Sequence, residues 1–148
     1  MRRTSFILAI LLALVCARST VQGQGTATPA TGPRGLDFEA FRTRIQPIFL
    51  NKRGDHARCY ACHSQGTPLR LQELSPGATA WTEEQSRANF QAMQRVVVPG
   101  QPTLSRLLLM PLAHEAGGTE FHPGGKHFMT MDDPEVKTLV AWINDVKK

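Results

Sequence analysis

The sequence predicts one small domain built mainly from helices. Its 148 residues suit a single unit and leave no room for a second large one. The first and last parts of the mature chain carry apolar residues at helical spacing, whereas candidate extended pieces are only a few residues long. Aromatic residues make up 7% of the chain, so the core is thin and a bound cofactor would help to fill it.

Residues 1–23 are predicted to form a secretory signal peptide. Arg2 and Arg3 make the start basic, and residues 6–15 are an apolar run. That run is shorter than the roughly 20 residues of a spanning helix, so no stable membrane span is expected. We expect cleavage after Gly23, and hence a periplasmic or otherwise exported protein.

Residues 24–35 are rich in Gly, Thr and Pro and are predicted to be a flexible linker to the domain at 36–148. Cys16 lies in the signal segment and leaves lipid modification open. The formal net charge of +5 falls to +2 after cleavage, because three basic residues leave with the signal peptide. Without a basic cluster on one face, no nucleic-acid partner is expected.

The first helix is predicted over residues 36–50. Phe38, Phe41, Ile45 and Ile48 recur at steps of three and four, which places them on one face. Pro47 lacks a backbone donor, so we expect it to kink or end the helix nearby.

Two further helices are predicted in the middle of the chain. Thr82 and Gln85 match a capping box, which predicts a helix from residue 83 to about 94. Another helix is predicted over 102–112. Its buried stripe is expected to consist of Leu104, Leu107 and Leu108.

Residues 113–131 are predicted to be one irregular loop. Loops of this length in compact domains are usually functional or disordered. The loop contains His114, His122 and His127. We expect His114, and His56 earlier in the chain, to lie on the surface.

The last helix begins near residue 134. Asp132 or Asp133 is its expected N-cap, with Pro134 in the first turn. Trp142 is expected at the edge of its apolar stripe. The stripe itself consists of Val136, Leu139, Val140 and Ile143.

The chemistry of the chain is concentrated at residues 59–63, whose sequence is Cys-Tyr-Ala-Cys-His. C-x-x-C-H is the attachment motif of a c-type haem. Cys59 and Cys62 would form thioether links to the haem, and His63 would be the proximal ligand of the iron.

Other uses of the two cysteines fit the sequence less well. A thioredoxin-like redox pair would need a βαβ context, and a disulfide would not need the histidine. A zinc site with His122 and His127 would need a spacing far beyond the roughly 12–15 residues of the finger pattern.

With this motif between a first and a last helix, the sequence resembles a small class I cytochrome c domain. Segments 69–71, 97–102 and 105–108 are more narrowly similar to Planctomycete-type cytochrome c domains, and the resemblance covers about residues 36–148. It implies an all-α fold in which the N- and C-terminal helices cross beside one covalent haem c. It also implies that the cytochrome c maturation machinery acts on the chain.

The distal iron ligand departs from the family pattern. Such domains usually place a Met-Pro-Pro before the last helix, and this chain has none. Gly124 and Gly125 would let backbone pass close to a flat cofactor. Met110 is expected in the core. The candidate distal ligands are His122, which we favour, then His127, Met129 and Met131.

Ligation then predicts the function. A six-coordinate iron has no open position, so the sequence predicts an electron-transfer protein rather than an enzyme, acting alone or as a subunit of a larger oxidoreductase. Redox proteins are the expected partners, with Lys52, Arg53 and Arg58 aiding docking. One alternative is a five-coordinate haem protein that senses gas or peroxide or acts as an enzyme; the other is haem as a structural element.

Overall fold

The structure, a computed structural model, describes residues 35–147. The predicted signal peptide, its cleavage site, Cys16 and the linker up to residue 34 lie outside this range. The helices are α1 (38–50), α2 (Cys59–His63), α3 (Glu83–Ala92), α4 (Arg106–Leu109) and α5 (Pro134–Asn144). Single 3₁₀ turns lie at Met93–Arg95, Pro102–Leu104 and His114–Ala116. Between residues 35 and 147, β structure is limited to two isolated bridges, which confirms the predicted all-α class.

Helix α1 changes its winding ahead of Pro47. Its first turn is α-helical, Phe41–Ile45 is π-helical, and Gln46–Leu50 is α-helical again. The Gln46 N–H bonds the carbonyl of Phe41, five residues earlier. Since Pro47 has no N–H to continue the regular ladder, the extra residue in the π turn takes up the mismatch. The predicted irregularity is confirmed, and the helix continues to Leu50.

An aromatic cluster joins α1, α3 and α5. The ring centres of Phe41 and Trp142 are 5.7 Å apart, and those of Phe41 and Phe90 are 5.3 Å apart. The indole N–H of Trp142 donates to the carbonyl of Asp37 over 3.0 Å. Trp142 is therefore fully buried, and its predicted edge position is wrong: a polar N–H can enter the core because a helix-start carbonyl receives it.

The caps of two helices follow the sequence. Thr82 and Gln85 form the predicted capping box at the start of α3, each side chain bonding the other's backbone N–H. At α5, Asp133 is the N-cap, and its carboxylate accepts from the amides of Glu135 and Val136. Both results reflect local hydrogen bonding that needs no distant partner.

The helix predicted over 102–112 is broken at Ser105. Its backbone there is extended, and its hydroxyl accepts from the Val98 amide over 2.9 Å and donates to the Gln101 carbonyl over 2.9 Å. Such side-chain bonds compete with helical ones. As a result Leu104 stays on a separate turn with 59% of its surface exposed, and its predicted place in the buried stripe is wrong. Leu107 and Leu108 are buried as predicted.

No helix among residues 35–147 is long and apolar enough to span a membrane.

The aromatic cluster predicts a matched pair of phenylalanine variants. Phe41→Ala should destabilise the domain by about 3–5 kcal/mol, because it opens a cavity where the side chain is fully buried. Phe121→Ala removes the same atoms from a side chain that is 72% exposed and should change stability by less than about 0.5 kcal/mol. Urea unfolding monitored by circular dichroism measures both. Equal midpoints for the two variants would contradict the assigned core.

Candidate functional site

Helix α2 presents the C-x-x-C-H motif to a cavity of about 350 Å³. Cys59, Cys62 and His63 all line this cavity, as do His122 and His127 from the long loop. Both cysteines carry free thiols; Cys59 is half-buried and Cys62 is exposed. Cys62 and His122, which are 60 residues apart in the sequence, thus line the same cavity. Much of the remaining wall is apolar and consists of Phe49, Pro68, Leu69, Val96, Leu107, Met110, Pro111 and Pro123.

The imidazole of His63 is oriented by the segment that follows it. Its Nδ1 lies 2.8 Å from the carbonyl oxygen of Leu69 and 2.8 Å from the hydroxyl of Thr67. The Thr67 hydroxyl donates to the same carbonyl over 2.6 Å. Since that carbonyl can only accept, Nδ1 carries the proton, and Nε2 keeps the lone pair that can bind a metal ion. Thr67 and Leu69 therefore select the ligand tautomer, and the sequence prediction missed Thr67.

Tyr60, inside the motif, fixes the same segment from its other end. Its hydroxyl accepts from the Leu74 amide over 2.8 Å, and its ring packs edge-on against Trp81. The Leu71 amide also donates to the His63 carbonyl over 2.8 Å. Helix α2, though only five residues long, is thereby held by the segment after it.

The long loop returns across the cavity through backbone bonds. The His127 amide donates to the Pro111 carbonyl, and the Ala113 amide to the Phe128 carbonyl, each over 2.8 Å. Inside the loop, the ammonium group of Lys126 donates to the Met110 carbonyl over 3.1 Å and to the carbonyl and hydroxyl of Thr119. Lys126 therefore closes the loop that carries both candidate histidines.

His122 lies opposite His63. Their ring centres are 6.3 Å apart and their planes differ by only 20°. The Nδ1 of His122 lies 2.7 Å from the carbonyl of Gly125, so Nε2 again keeps its lone pair. A Cβ at Gly124 would lie 3.3 Å from the His122 ring, a tight contact, and 3.8 Å from His127 Nε2, an ordinary one. Two imidazoles with the same tautomer thus share the cavity.

His127 lies beside His122 and His56. Its ring centre is 6.2 Å from that of His122 and 4.6 Å from that of His56. Its Nδ1 is buried without a hydrogen-bond partner among residues 35–147. His56 is half-buried against it, so the predicted surface position of His56 is wrong: the loop folds over it. His114 is exposed, as predicted.

The methionine candidates are distributed differently. Met129 is 67% exposed and Met131 is 42% exposed, and neither lines the cavity. Met110 does line it, and its sulfur lies 3.6 Å from the Thr119 hydroxyl. The sequence indicated a leucine-rich helix around Met110 and therefore a core position; the break at Ser105 leaves it half-buried at the cavity wall.

Burial shifts the pKa values of His63, His127 and Cys59 towards their neutral forms. It lowers the pKa of His63, and nearby His122 lowers it further, against the opposing effect of the Leu69 carbonyl. Burial also lowers the pKa of His127, with added repulsion from His56 and His122. The pKa of the Cys59 thiol is raised by burial, with a smaller opposing effect of Arg53.

Arg53 joins α5 to the start of the polar loop. Its guanidinium pairs with the carboxylates of Glu135 and Asp133 and lies 4.3 Å from the centre of the Phe128 ring. These contacts within the domain engage the guanidinium, and the role of Arg53 in docking partners stays a prediction. Lys52 and Arg58 are exposed.

Comparison with known proteins defines no family for this chain. It matches no protein-family model and no solved structure. Solute carrier family 38 member 10 from Rattus norvegicus is 34% identical over 80 residues, which cover 51% of this chain. The match spans only 7% of that protein's length.

Among residues 35–147, no group of three or more His, Cys, Asp and Glu side chains is arranged to hold a metal ion by itself.

The pKa of His127 predicts a pH effect on stability. Its folded pKa lies below the ordinary 6.5, so the unfolded chain binds the proton more tightly. The contribution of His127 to the free energy of unfolding is then fully present above about pH 6.5. It is lost as the pH falls from that value through the lower folded pKa. In haem-free protein, His127→Gln should flatten the decline in urea midpoint between pH 7.5 and 5.5. His114→Gln, at an exposed site, should not. An unchanged slope in His127→Gln would contradict this origin of the effect.

Lys126 predicts a local effect on the loop. Lys126→Met leaves two carbonyls without their donor and should cost roughly 1–3 kcal/mol. Amide hydrogen exchange should accelerate at Gly125 and His127. The control Lys137→Met removes an exposed ion pair with Asp132 and should leave both amides unchanged. Equal exchange in both variants would show that Lys126 does not hold the loop.

Proposed function

We propose that this protein is an exported c-type cytochrome that carries one covalent haem and transfers single electrons between redox protein partners. Cys59 and Cys62 would hold the haem through thioether bonds, and His63 would be the proximal iron ligand. The class I cytochrome c arrangement, with α1 and α5 crossing beside the haem, is part of this proposal, as are the periplasmic location and maturation by the cytochrome c machinery.

The observation that carries the proposal is the pairing of His63 with His122. Imidazole nitrogens bind transition-metal ions at about 2.0 Å, so two histidines that share one ion must have their rings close together. The observed separation is 6.3 Å, with nearly parallel rings. Both Nδ1 atoms are engaged by backbone carbonyls, as is usual for metal-binding histidines. These features support His63 and His122 as the two residues that would hold the iron.

His122 is our proposed distal ligand. His127 also lines the cavity, but its closest ring neighbour is His56. Met129 and Met131 are exposed and stand outside the cavity lining.

Electron transfer follows from this ligand set. His63 and His122 would hold a haem whose iron would supply one-electron chemistry and leave no open position for a substrate. The residues of the chain have supporting roles: Leu69 and Thr67 hold the His63 tautomer, Gly125 holds that of His122, and apolar walls limit the access of water.

The test is maturation of the full chain with the cytochrome c machinery. We expect one haem mass per protein, resistant to denaturation, and a low-spin spectrum without the weak red band of a methionine–iron bond. Cys59→Ala with Cys62→Ala should abolish covalent attachment. A wild-type protein that acquires no covalent haem would overturn the proposal.

Two alanine variants test which histidine is the distal ligand. His122→Ala should convert the haem to a high-spin form that binds carbon monoxide when reduced. His127→Ala should keep the low-spin spectrum and exclude carbon monoxide. An unchanged spectrum in His122→Ala would refute that ligand. Rapid stoichiometric carbon monoxide binding by the wild type would instead favour the five-coordinate alternative.

A further inference from the structure

The methionines of residues 35–147 differ widely in their exposure to solvent. Met93 is fully buried in the core. Met110 is half-buried at the cavity wall, and its sulfur accepts a hydrogen bond from the Thr119 hydroxyl over 3.6 Å. Met129 and Met131, by contrast, expose 67% and 42% of their surfaces. Their thioethers are therefore the most accessible to reagents in solution within this range.

The segment that carries the two exposed methionines is fixed at both ends. On one side Phe128 is buried, its amide donates to the Pro111 carbonyl over 3.0 Å, and its carbonyl accepts from the Ala113 amide over 2.8 Å. On the other side the carboxylate of Asp133 caps α5. Since these anchors use backbone groups, a phenyl ring and a carboxylate, the position of residues 129–131 does not depend on the thioether sulfurs.

A thioether exposed in this way is a substrate for peroxides. The sulfur donates an electron pair to one peroxide oxygen, so that an S–O bond forms and the O–O bond breaks. The other oxygen of hydrogen peroxide leaves as water. The sulfur is oxidised by two electrons and the peroxide is reduced by two. In the reverse reaction, a reductase takes two electrons from a dithiol, which becomes a disulfide, and the sulfoxide oxygen leaves as water.

The cost of the reaction depends on where the sulfoxide forms. A sulfoxide is polar, so at Met93 it would place an unpaired polar group in the core. At Met110 it would disturb the sulfur that the Thr119 hydroxyl contacts. At Met129 and Met131 the new oxygen enters solvent and needs no partner from the protein.

We propose that Met129 and Met131 form a reversible oxidation site, whose substrate is hydrogen peroxide and whose partner is a methionine sulfoxide reductase. The site accepts oxidation without loss of the fold, because neither side chain belongs to the core or lines the cavity. It also offers the reductase two sulfoxides on one exposed segment. Nothing in this proposal requires a haem, so it stands or falls separately from the proposed function.

The first experiment treats the full chain with hydrogen peroxide and follows each methionine by peptide mass spectrometry. Peptide analysis keeps oxidation of the cysteines apart from that of the methionines. Sulfoxide should form at Met129 and Met131 at least about tenfold faster than at Met93, which reacts only when the core opens. Similar rates at all three positions would overturn the proposal.

A pair of leucine variants serves as the matched control. Met129→Leu with Met131→Leu should remove the fast phase of oxygen uptake, whereas Met110→Leu should leave it unchanged. A fast phase that persists in the double variant would overturn the assignment of the site to this segment.

The next measurement tests whether the fold tolerates the modification. Protein oxidised at Met129 and Met131 alone should keep the urea midpoint of the untreated chain and the slow hydrogen exchange of the Ala113 and Phe128 amides. Protein oxidised in urea, where Met93 also reacts, should lose stability after refolding. A lower midpoint for the doubly oxidised protein would overturn the proposal.

Reversal is tested with methionine sulfoxide reductases for both sulfoxide epimers and dithiothreitol as the dithiol. They should remove one oxygen mass from Met129 and from Met131 in the folded protein. Sulfoxide at Met93, in folded protein that carries it, should be restored more slowly because the enzyme cannot reach it. Sulfoxides at Met129 and Met131 that resist the enzymes would overturn the reversible site.

Discussion

The His63 ring donates through Nδ1 to the carbonyl of Leu69, and most of the site geometry depends on this bond. It determines which nitrogen keeps a lone pair and in which direction that nitrogen points. It also requires residues 64–69 to fold back beside α2, where Leu71 bonds the His63 carbonyl and Tyr60 receives the Leu74 amide. A five-residue helix is marginal alone, so these bonds supply the rigidity that its own ladder lacks.

The opposite wall has a different origin. His122 belongs to a loop without regular structure, which is held by Lys126 and by backbone bonds to Pro111 and Phe128. The absence of a Cβ at Gly124 leaves room beside the His122 ring. Rigid support on the α2 side and a clamped loop on the other hold the imidazoles of His63 and His122 in place in the cavity.

The arginines have separate roles according to their partners. Arg53 forms an ion pair with Glu135 on α5 and packs on the Phe128 ring, so it contributes to the stability of the fold. Arg58, only five residues later, has no acidic partner among residues 35–147 and lines the cavity with Arg106. Clustering of basic residues in the sequence therefore did not indicate which of them line the cavity.

Local patterns predicted the helical class, the caps at Thr82 and Asp133, and the grouping of Cys59, Cys62 and His63, because each depends on residues within one or two turns. The exposure of Leu104 was not predicted, because the hydroxyl of Ser105 bonds Val98 and Gln101 and so interrupts the helix that the leucine spacing indicated. The burial of Trp142 could not be predicted, since its indole bonds the distant carbonyl of Asp37. Ranking His122 ahead of His127, Met129 and Met131 was a hypothesis that rested on loop position and family resemblance alone. Tertiary structure brings His122 opposite His63, because the path of an irregular loop is determined by its long-range contacts and not by its periodicity.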